Sequence, residues 1–371
     1  MDSKPVTMRL DFLDALRGVA ALMVAYLHYS RHFLKEGITV AGWEYSVFNF
    51  FNNYIDLGKV GVLIFFAISG MVIPYSLSKG GEHSIKRFIV SRFARLYPIY
   101  WVSIPAGIFA YWFLADKEIT TQIILVNLTM LQQFFLVENI MGLYWTLQIE
   151  LIFYGLCVVL FYFKWLSSPK KLFLIALVFI ALGLAASYVR YSMQLKIPVA
   201  LFLALVFMFF GTIWREYILN KDKQCQRYAF VIFAILLFVM PVISLLAYNQ
   251  DFGFGETWYR YTLSYYTAMF LLIVFTLFIR LRGAVFCWLG RISYSVYLFH
   301  GVVFVVFMEF IGTSFVISSQ LPLHLYILAA MLLTLTLSNF TYQYVEKPMI
   351  DVGRNFIRQV YSKELPKEMS L

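Results

Sequence analysis

The sequence predicts an all-α polytopic membrane protein: a helical bundle of about ten transmembrane helices with both ends in the cytoplasm. Three observations carry this. Hydrophobic residues make up 61% of the 371 residues and charged residues only 13%, about half the 25% usual in soluble domains. The apolar residues gather in windows of roughly twenty, the length that crosses about 30 Å of hydrocarbon. The basic residues fall in connections that can all share one side of a membrane, as the positive-inside rule requires.

Taken in order, the windows lie near 12–34, 60–78, 98–115, 119–137, 144–164, 171–190, 197–219, 228–248, 260–280, 290–312 and 322–345. The first is broken by Arg17 and followed by no small-residue cleavage pattern, so it is expected to stay as an anchor. After the second come Lys79, Lys86, Arg87, Arg92 and Arg95, which puts that connection inside. Lys4 and Arg9 place the amino terminus there too, as Lys347, Arg354, Arg358, Lys363 and Lys367 place the carboxyl end. Two ends on one side need an even number of spans. The weakest window, 119–137, holds Gln122, Asn127, Gln132 and Gln133. If it lies along the outer surface or re-enters without crossing, ten spans remain. Lys164, Lys170, Lys171, Arg215, Lys221, Lys223, Arg227, Arg280, Arg282 and Arg291 then fall inside. The outer connections become 35–59, 116–143, 249–259 and 313–321. The expected organisation is a single transmembrane domain over 1–371, with its core at 11–348 and a basic cytoplasmic tail at 349–371.

On this reading the net charge of +10 belongs to cytoplasmic loops, and no nucleic-acid partner is expected. Cys157, Cys225 and Cys287 are far apart and have no metal-type spacing, so they are read as free thiols.

The polar residues inside the spans are the candidates for chemistry, because each costs roughly 2.5–3.5 kcal/mol near a bilayer centre. Asp14, Arg17 and His28 share a narrow sector of the first helix. Arg17 and His28 are about three turns apart, some 16 Å along the axis. Asp14 can pair with Arg17 from three residues away. His28 suits general base work, since a histidine takes and gives a proton near neutral pH. A buried structural histidine and a snorkelling arginine are the plainer alternatives. His28 and His32 stand at i and i+4, but a catalytic zinc needs a third ligand and none is indicated, so no metal is expected. Glu150, in a span entering from outside, is expected at a depth similar to His28, where it can orient an imidazole or accept a substrate hydroxyl. An ion pair with another helix is its structural alternative. His300 is a second proton carrier or polar contact. Arg92 and Arg95 share a helix face and make either a phosphate clamp or an anchor to lipid headgroups.

The chain resembles the membrane acyltransferase-3 family of bacterial integral membrane O-acyltransferases, from about Asp11 to Pro348. The resemblance rests on Leu13-Asp14-Ala15-Leu16-Arg17-Gly18 followed by His28, and on Phe65-Phe66-Ala67-Ile68-Ser69-Gly70. It continues through Arg92-Phe93-Ala94-Arg95-Leu96-Tyr97-Pro98, the stretch from Leu289-Gly290-Arg291 to His300, and Glu346-Lys347-Pro348. One element departs. The family's Trp-Ser-Leu-Ser-x-Glu-Glu/Gln stands here as Trp145-Thr146-Leu147-Gln148-Ile149-Glu150-Leu151, with an apolar residue after the carboxylate.

The resemblance implies an O-acyltransferase of the bacterial cytoplasmic (inner) membrane. Its donor would be cytoplasmic acetyl-CoA and its acceptor a hydroxyl of a cell-envelope glycan or lipid-linked sugar. Many relatives carry an extra hydrolase-like domain that is not seen in this chain, so transfer is expected to finish here or to pass to an envelope-biosynthesis partner. Arg92 and Arg95 are expected to hold the CoA phosphates, and Arg17 to bind CoA or steady developing charge. His28 would deprotonate the acceptor or carry the acyl group itself. Glu150, Trp145, Gln148 and His300 would contact the acceptor. A secondary transporter or flippase is the rival from another class, because intramembrane Arg, His and Glu also mark substrate paths. Such proteins show repeated halves with interrupted helices, and no clear repeat is present. A non-enzymatic scaffold leaves the buried charges without a reason.

Overall fold

The computed structural model describes residues 11–36, 38, 42–78, 83–248 and 257–361, and among these residues no strand occurs. Lys4, Arg9, Lys79, Lys363 and Lys367, whose charges help to orient the chain, lie outside the described residues. The helices are α1 (Asp11–Lys35), α2 (Gly42–Asn53), α3 (Leu57–Ser78), α4 (Ser84–Ile108), α5 (Thr121–Leu128), α6 (Tyr144–Tyr162) and α7 (Pro169–Met193). They continue as α8 (Val199–Asn220), α9 (Lys223–Tyr248), α10 (Trp258–Ile273), α11 (Ala284–Ile311), α12 (Thr313–Ser319), α13 (Leu323–Thr341) and α14 (Lys347–Tyr361). Single π-helical turns extend α4 over Phe109–Phe113 and α10 over Val274–Phe278, and a third joins α13 to α14 over Tyr342–Glu346.

Among the described residues, eight helices are long and apolar enough to cross a membrane: α3, α6, α7, α8, α9, α10, α11 and α13. The two other long helices, α1 and α4, carry Asp14, Arg17 and His28, and Arg87, Arg92 and Arg95. The apolar helices sort by burial. In α3 and α8, 72% and 78% of the span is buried, against 33% in α7 and α9, so the first pair is central and the second faces outward.

Three pieces of local chemistry fix how the helices meet. Glycines on α1 and α11 set the first. A Cβ on Gly18 would lie 2.6 Å from Leu289 Cβ, and one on Gly290 would overlap the Asp14 carbonyl, so only glycine lets these backbones meet. The second is Pro74 inside α3, which removes the N–H that would bond the Gly70 carbonyl; Thr212 Oγ1 of α8 donates to that carbonyl at 3.0 Å instead. The third is the end of α13. Its first N–H groups, on Leu323 and His324, donate to the Glu44 carboxylate of α2 at 3.1 and 2.9 Å, and His324 Nδ1 lies 2.7 Å from the same group. Burial pushes the Glu44 carboxyl up, but these hydrogen bonds outweigh it and hold the group below its ordinary range.

Segment 119–137 is not a spanning helix. Its helix, Thr121–Leu128, is only about 12 Å long. It packs beside α4. Tyr100 OH, Trp101 Nε1 and Tyr97 OH donate to the carbonyls of Asn127, Leu128 and Thr129 at 2.6, 3.0 and 3.0 Å. Irregular backbone packed against a helix needs its carbonyls satisfied by protein groups, and these aromatic donors do so. Asn127 closes the hairpin: its Nδ2 donates to the Glu138 carbonyl, and its Oδ1 accepts from Ile140 N. Residues 349–361, expected as a basic tail, belong to α14, which packs on α4 through Gly353 against Ala94. All three cysteines are free, as expected.

Candidate active site

Two cavities abut inside the bundle. The arginine cavity, about 70 Å³, is lined by Arg17 of α1, Ser69 of α3, Arg92 and Arg95 of α4, Glu150 of α6 and Tyr294 of α11. The histidine cavity, about 590 Å³, holds His28, Arg31, Asp56, Lys59, Tyr111, Trp145 and His300. Val62, Phe66, Thr146 and Tyr297 line both. A hydrogen bond of 2.7 Å joins Thr146 Oγ1 to Tyr297 OH. These four residues are the partition between the cavities.

The register of α1 and α11 explains the histidines. The helices touch at Gly18 and Gly290, and His28 and His300 each follow their glycine by ten residues. Two parallel helices that meet at one point and advance about 15 Å each bring those side chains together. His28 Nδ1 lies 2.8 Å from His300 Nε2. His300 Nδ1 lies 2.8 Å from the Tyr297 carbonyl and 3.2 Å from that of Val296.

A carbonyl can only accept, so the proton of a neutral His300 sits on Nδ1 and its Nε2 offers a lone pair. His28 must then donate through Nδ1, which leaves His28 Nε2 with the free lone pair. Two backbone carbonyls thus assign the tautomer of both rings. Tyr29 supports the pair by donating from its hydroxyl to the His300 carbonyl at 3.0 Å. His28 is surrounded by helices yet exposed to the cavity. A base of this kind can accept a proton from a hydroxyl within hydrogen-bond reach.

Arg17, Arg92 and Arg95 share the arginine cavity. Arg17 Nη1 lies 3.4 Å from Asp14 Oδ1, and Asp14 itself lines neither cavity. Arg92 Nη2 donates to Ser76 Oγ at 3.0 Å. Glu150 differs from expectation: it stands with the arginines, not beside His28, and accepts a hydrogen bond from Tyr154 OH at 2.6 Å. The reason lies where α6 begins. Tyr144 is already buried and bonded to Ser103 at 2.9 Å, and Thr146 is in the partition. Four residues further, about 6 Å, Glu150 has passed it. Trp145 and His300 do line the histidine cavity. Gln148 lines neither cavity; its Oε1 accepts from Gln133 N of segment 119–137 at 3.2 Å. His32 turns its edge to Phe304, with ring centroids 5.2 Å apart.

Several lining residues had no role in the sequence reading. Arg31 follows His28 by three residues, so helical spacing alone places it on that face. Asp56, which lies 2.9 Å from Arg260 Nη2 and 3.6 Å from Lys59 Nζ, gave no such signal, because Arg260 is far away in the chain. Thr146 and Tyr297 sat inside quoted motifs without an assigned function.

A family described as an acyltransferase domain matches residues 10–342, which include both cavities. The chain belongs to the acyltransferase-3 family. It is also similar to a protein of Acidianus two-tailed virus named "Putative acetyltransferase ORF330", at 25% identity over 314 residues, 80% of this chain and 85% of that one. No solved structure matches it. Membership makes this multi-helical membrane protein an acyltransferase and gives the two cavities a chemical context, since acyl transfer needs a donor and an acceptor brought to one base.

Proposed function

We propose that the protein is a membrane-bound O-acyltransferase that moves an acyl group, acetyl in the simplest case, from cytoplasmic acyl-CoA to a hydroxyl of an envelope glycan or lipid-linked sugar. The observation that carries this reading is the His28–His300 pair facing one cavity, directly across the partition from a cavity lined by three arginines.

The arginine cavity is the donor side. Arg92 and Arg95 supply guanidinium donors for phosphate oxygens, which they match in geometry and charge. Arg92 Nε is buried without a hydrogen-bond partner among the described residues, as a group awaiting an anionic ligand would be. Arg17 belongs to the same side, and Glu150 balances its charge. The histidine cavity is the acceptor side. His28 Nε2 takes the proton of the acceptor hydroxyl as its oxygen attacks the thioester carbonyl. The new C–O bond forms, the C–S bond breaks, and the proton passes to the departing CoA sulfur. His300 holds the His28 ring in the reactive tautomer. An acyl-enzyme on His28 uses the same nitrogen.

In this reading ten helices span a bacterial cytoplasmic membrane, α1 and α4 included, with both ends in the cytoplasm.

The test uses membrane vesicles from source cells lacking their own copy, supplied with wild-type protein or His28→Ala at equal expression. With labelled acetyl-CoA, base-labile label should enter the glycan fraction only with wild type, a loss of at least about 100-fold for the variant. Equal labelling removes His28 from the mechanism. No label with either protein, while a control transferase works, favours a transport role.

A further inference from the structure

A third cavity, of about 310 Å³, lies beyond the histidine cavity and is lined by Tyr111, Trp112, Lys117, Glu138, Asn139, Ile140 and Gly142. Tyr111 and Gly142 line both spaces, so they form the junction. The junction is built from fixed parts. Tyr111 sits in the π-helical turn Phe109–Phe113, where one extra residue per turn re-aims a side chain, a device frequent at functional sites. Its hydroxyl rests on Gly301, where any Cβ would overlap it, and Gly301 directly follows His300. Trp112 Nε1 donates to the Ile140 carbonyl at 3.1 Å, which ties the opposite wall to the end of α4. A Cβ on Gly142 would meet no atom within 4 Å.

We propose, resting on the reading of the histidine cavity as the acceptor site, that this chamber is a second acceptor subsite and that the acceptor is an oligosaccharide rather than a single sugar. The reacting sugar lies at His28. Its neighbours pass Tyr111 and Gly142 and occupy the chamber. Each space alone has the volume of a ligand pocket, about 300–1,000 Å³, so together they take a ligand longer than one sugar ring. The chemistry fits a hydroxyl-rich chain. Tyr111 and Trp112 present aromatic rings, Lys117 and Glu138 present charged groups, and Asn139, whose Oδ1 already accepts from Gln132 Nε2 at 2.6 Å, presents its amide nitrogen for hydroxyl hydrogen bonds. Binding in the chamber acts on a part of the substrate remote from the chemistry, so it raises kcat/KM with acceptor length.

The experiment takes the envelope polysaccharide of the source cells and its mild-acid fragments, sorted into single sugars and longer oligomers. Two variants are used. In Lys117→Ala with Glu138→Ala, both side chains removed are exposed, so the fold is kept. In Gly142→Phe the new ring enters open space and blocks the junction. The readout is the ratio of kcat/KM for long over short acceptors, with labelled acetyl-CoA as donor. Calorimetric titration of the same fragments into detergent-purified protein gives the binding ratio without turnover. Wild type should favour the long acceptor by about tenfold or more, and each variant should bring both ratios close to one. A wild-type ratio near one, or variants that leave a high ratio intact, overturns the subsite and makes the chamber a solvent inlet. Failure of every fragment to bind or react overturns the acceptor reading itself, and the subsite with it.

Discussion

The arginine cavity and the histidine cavity share four wall residues and differ in most other respects. The first is narrow and places three guanidinium groups around one carboxylate. The second is some eight times larger and surrounds its imidazole pair with tyrosines, a tryptophan and scattered charges. A tight, cationic space selects by charge and geometry. A roomy space with aromatic walls selects by shape and by many weak hydrogen bonds. On the proposed assignment the protein is strict about its donor and, through the other cavity, accommodating in what it modifies.

That contrast is open to direct attack. Apart from loss of His28, the largest effect should come from Arg92→Ala with Arg95→Ala. If these residues hold phosphates, two charge-assisted hydrogen bonds at about 1.5 kcal/mol each raise KM for acetyl-CoA about 100-fold. Acetyl-pantetheine, which lacks the nucleotide phosphates, should change less than about threefold. Equal losses for both donors would mean that the arginines act through the fold.

A smaller effect is expected at His300. Its substitution by Phe leaves His28 Nδ1 without an acceptor and should lower kcat by about tenfold with KM for the donor unchanged. His300→Gln offers an amide oxygen near the lost Nε2 and should recover most of that rate. Gln as slow as Phe would show that the imidazole does more than hold a tautomer.

The smallest effect lies outside both cavities, where Glu44 caps α13. Its carboxyl is held below the ordinary range, so its contribution is complete above the unfolded value near 4.3 and is lost as pH falls through the folded value. Thermal unfolding in detergent should show wild type losing about 1 kcal/mol more than Glu44→Gln on acidification below about pH 4.5. Parallel pH curves for the two proteins would place the stabilisation elsewhere.

Much of the architecture was legible because hydropathy and charge act locally. The apolar windows correspond to long helices, and the glutamines and asparagine of 119–137 marked a segment that could not cross. What escaped the sequence depends on contacts between distant residues. His28 and His300 were each singled out, yet their 2.8 Å pairing follows from a glycine crossing that no spacing within one helix reveals. Glu150 was expected beside His28, but it lines the arginine cavity and not the histidine cavity, because four residues of α6 separate it from Thr146 in the partition. Gln148, which sequence assigns to a ligand, is occupied by Gln133 of segment 119–137.

The partition at Thr146 and Tyr297 also has an electrical meaning. With the two cavities open to opposite faces, as the proposed topology has it, the dielectric barrier at this point is no longer the bilayer's 30 Å or so but a few side chains. The membrane voltage then drops across those side chains, a local field several times that felt by an ordinary buried residue. A proton crossing there would traverse nearly the whole potential, about 2.3 kcal/mol per 100 mV. A hydrogen bond between the Thr146 and Tyr297 hydroxyls, backed by Val62 and Phe66, closes that narrow point. In the proposed reaction one proton passes this point per acyl transfer, carried away on the CoA thiol.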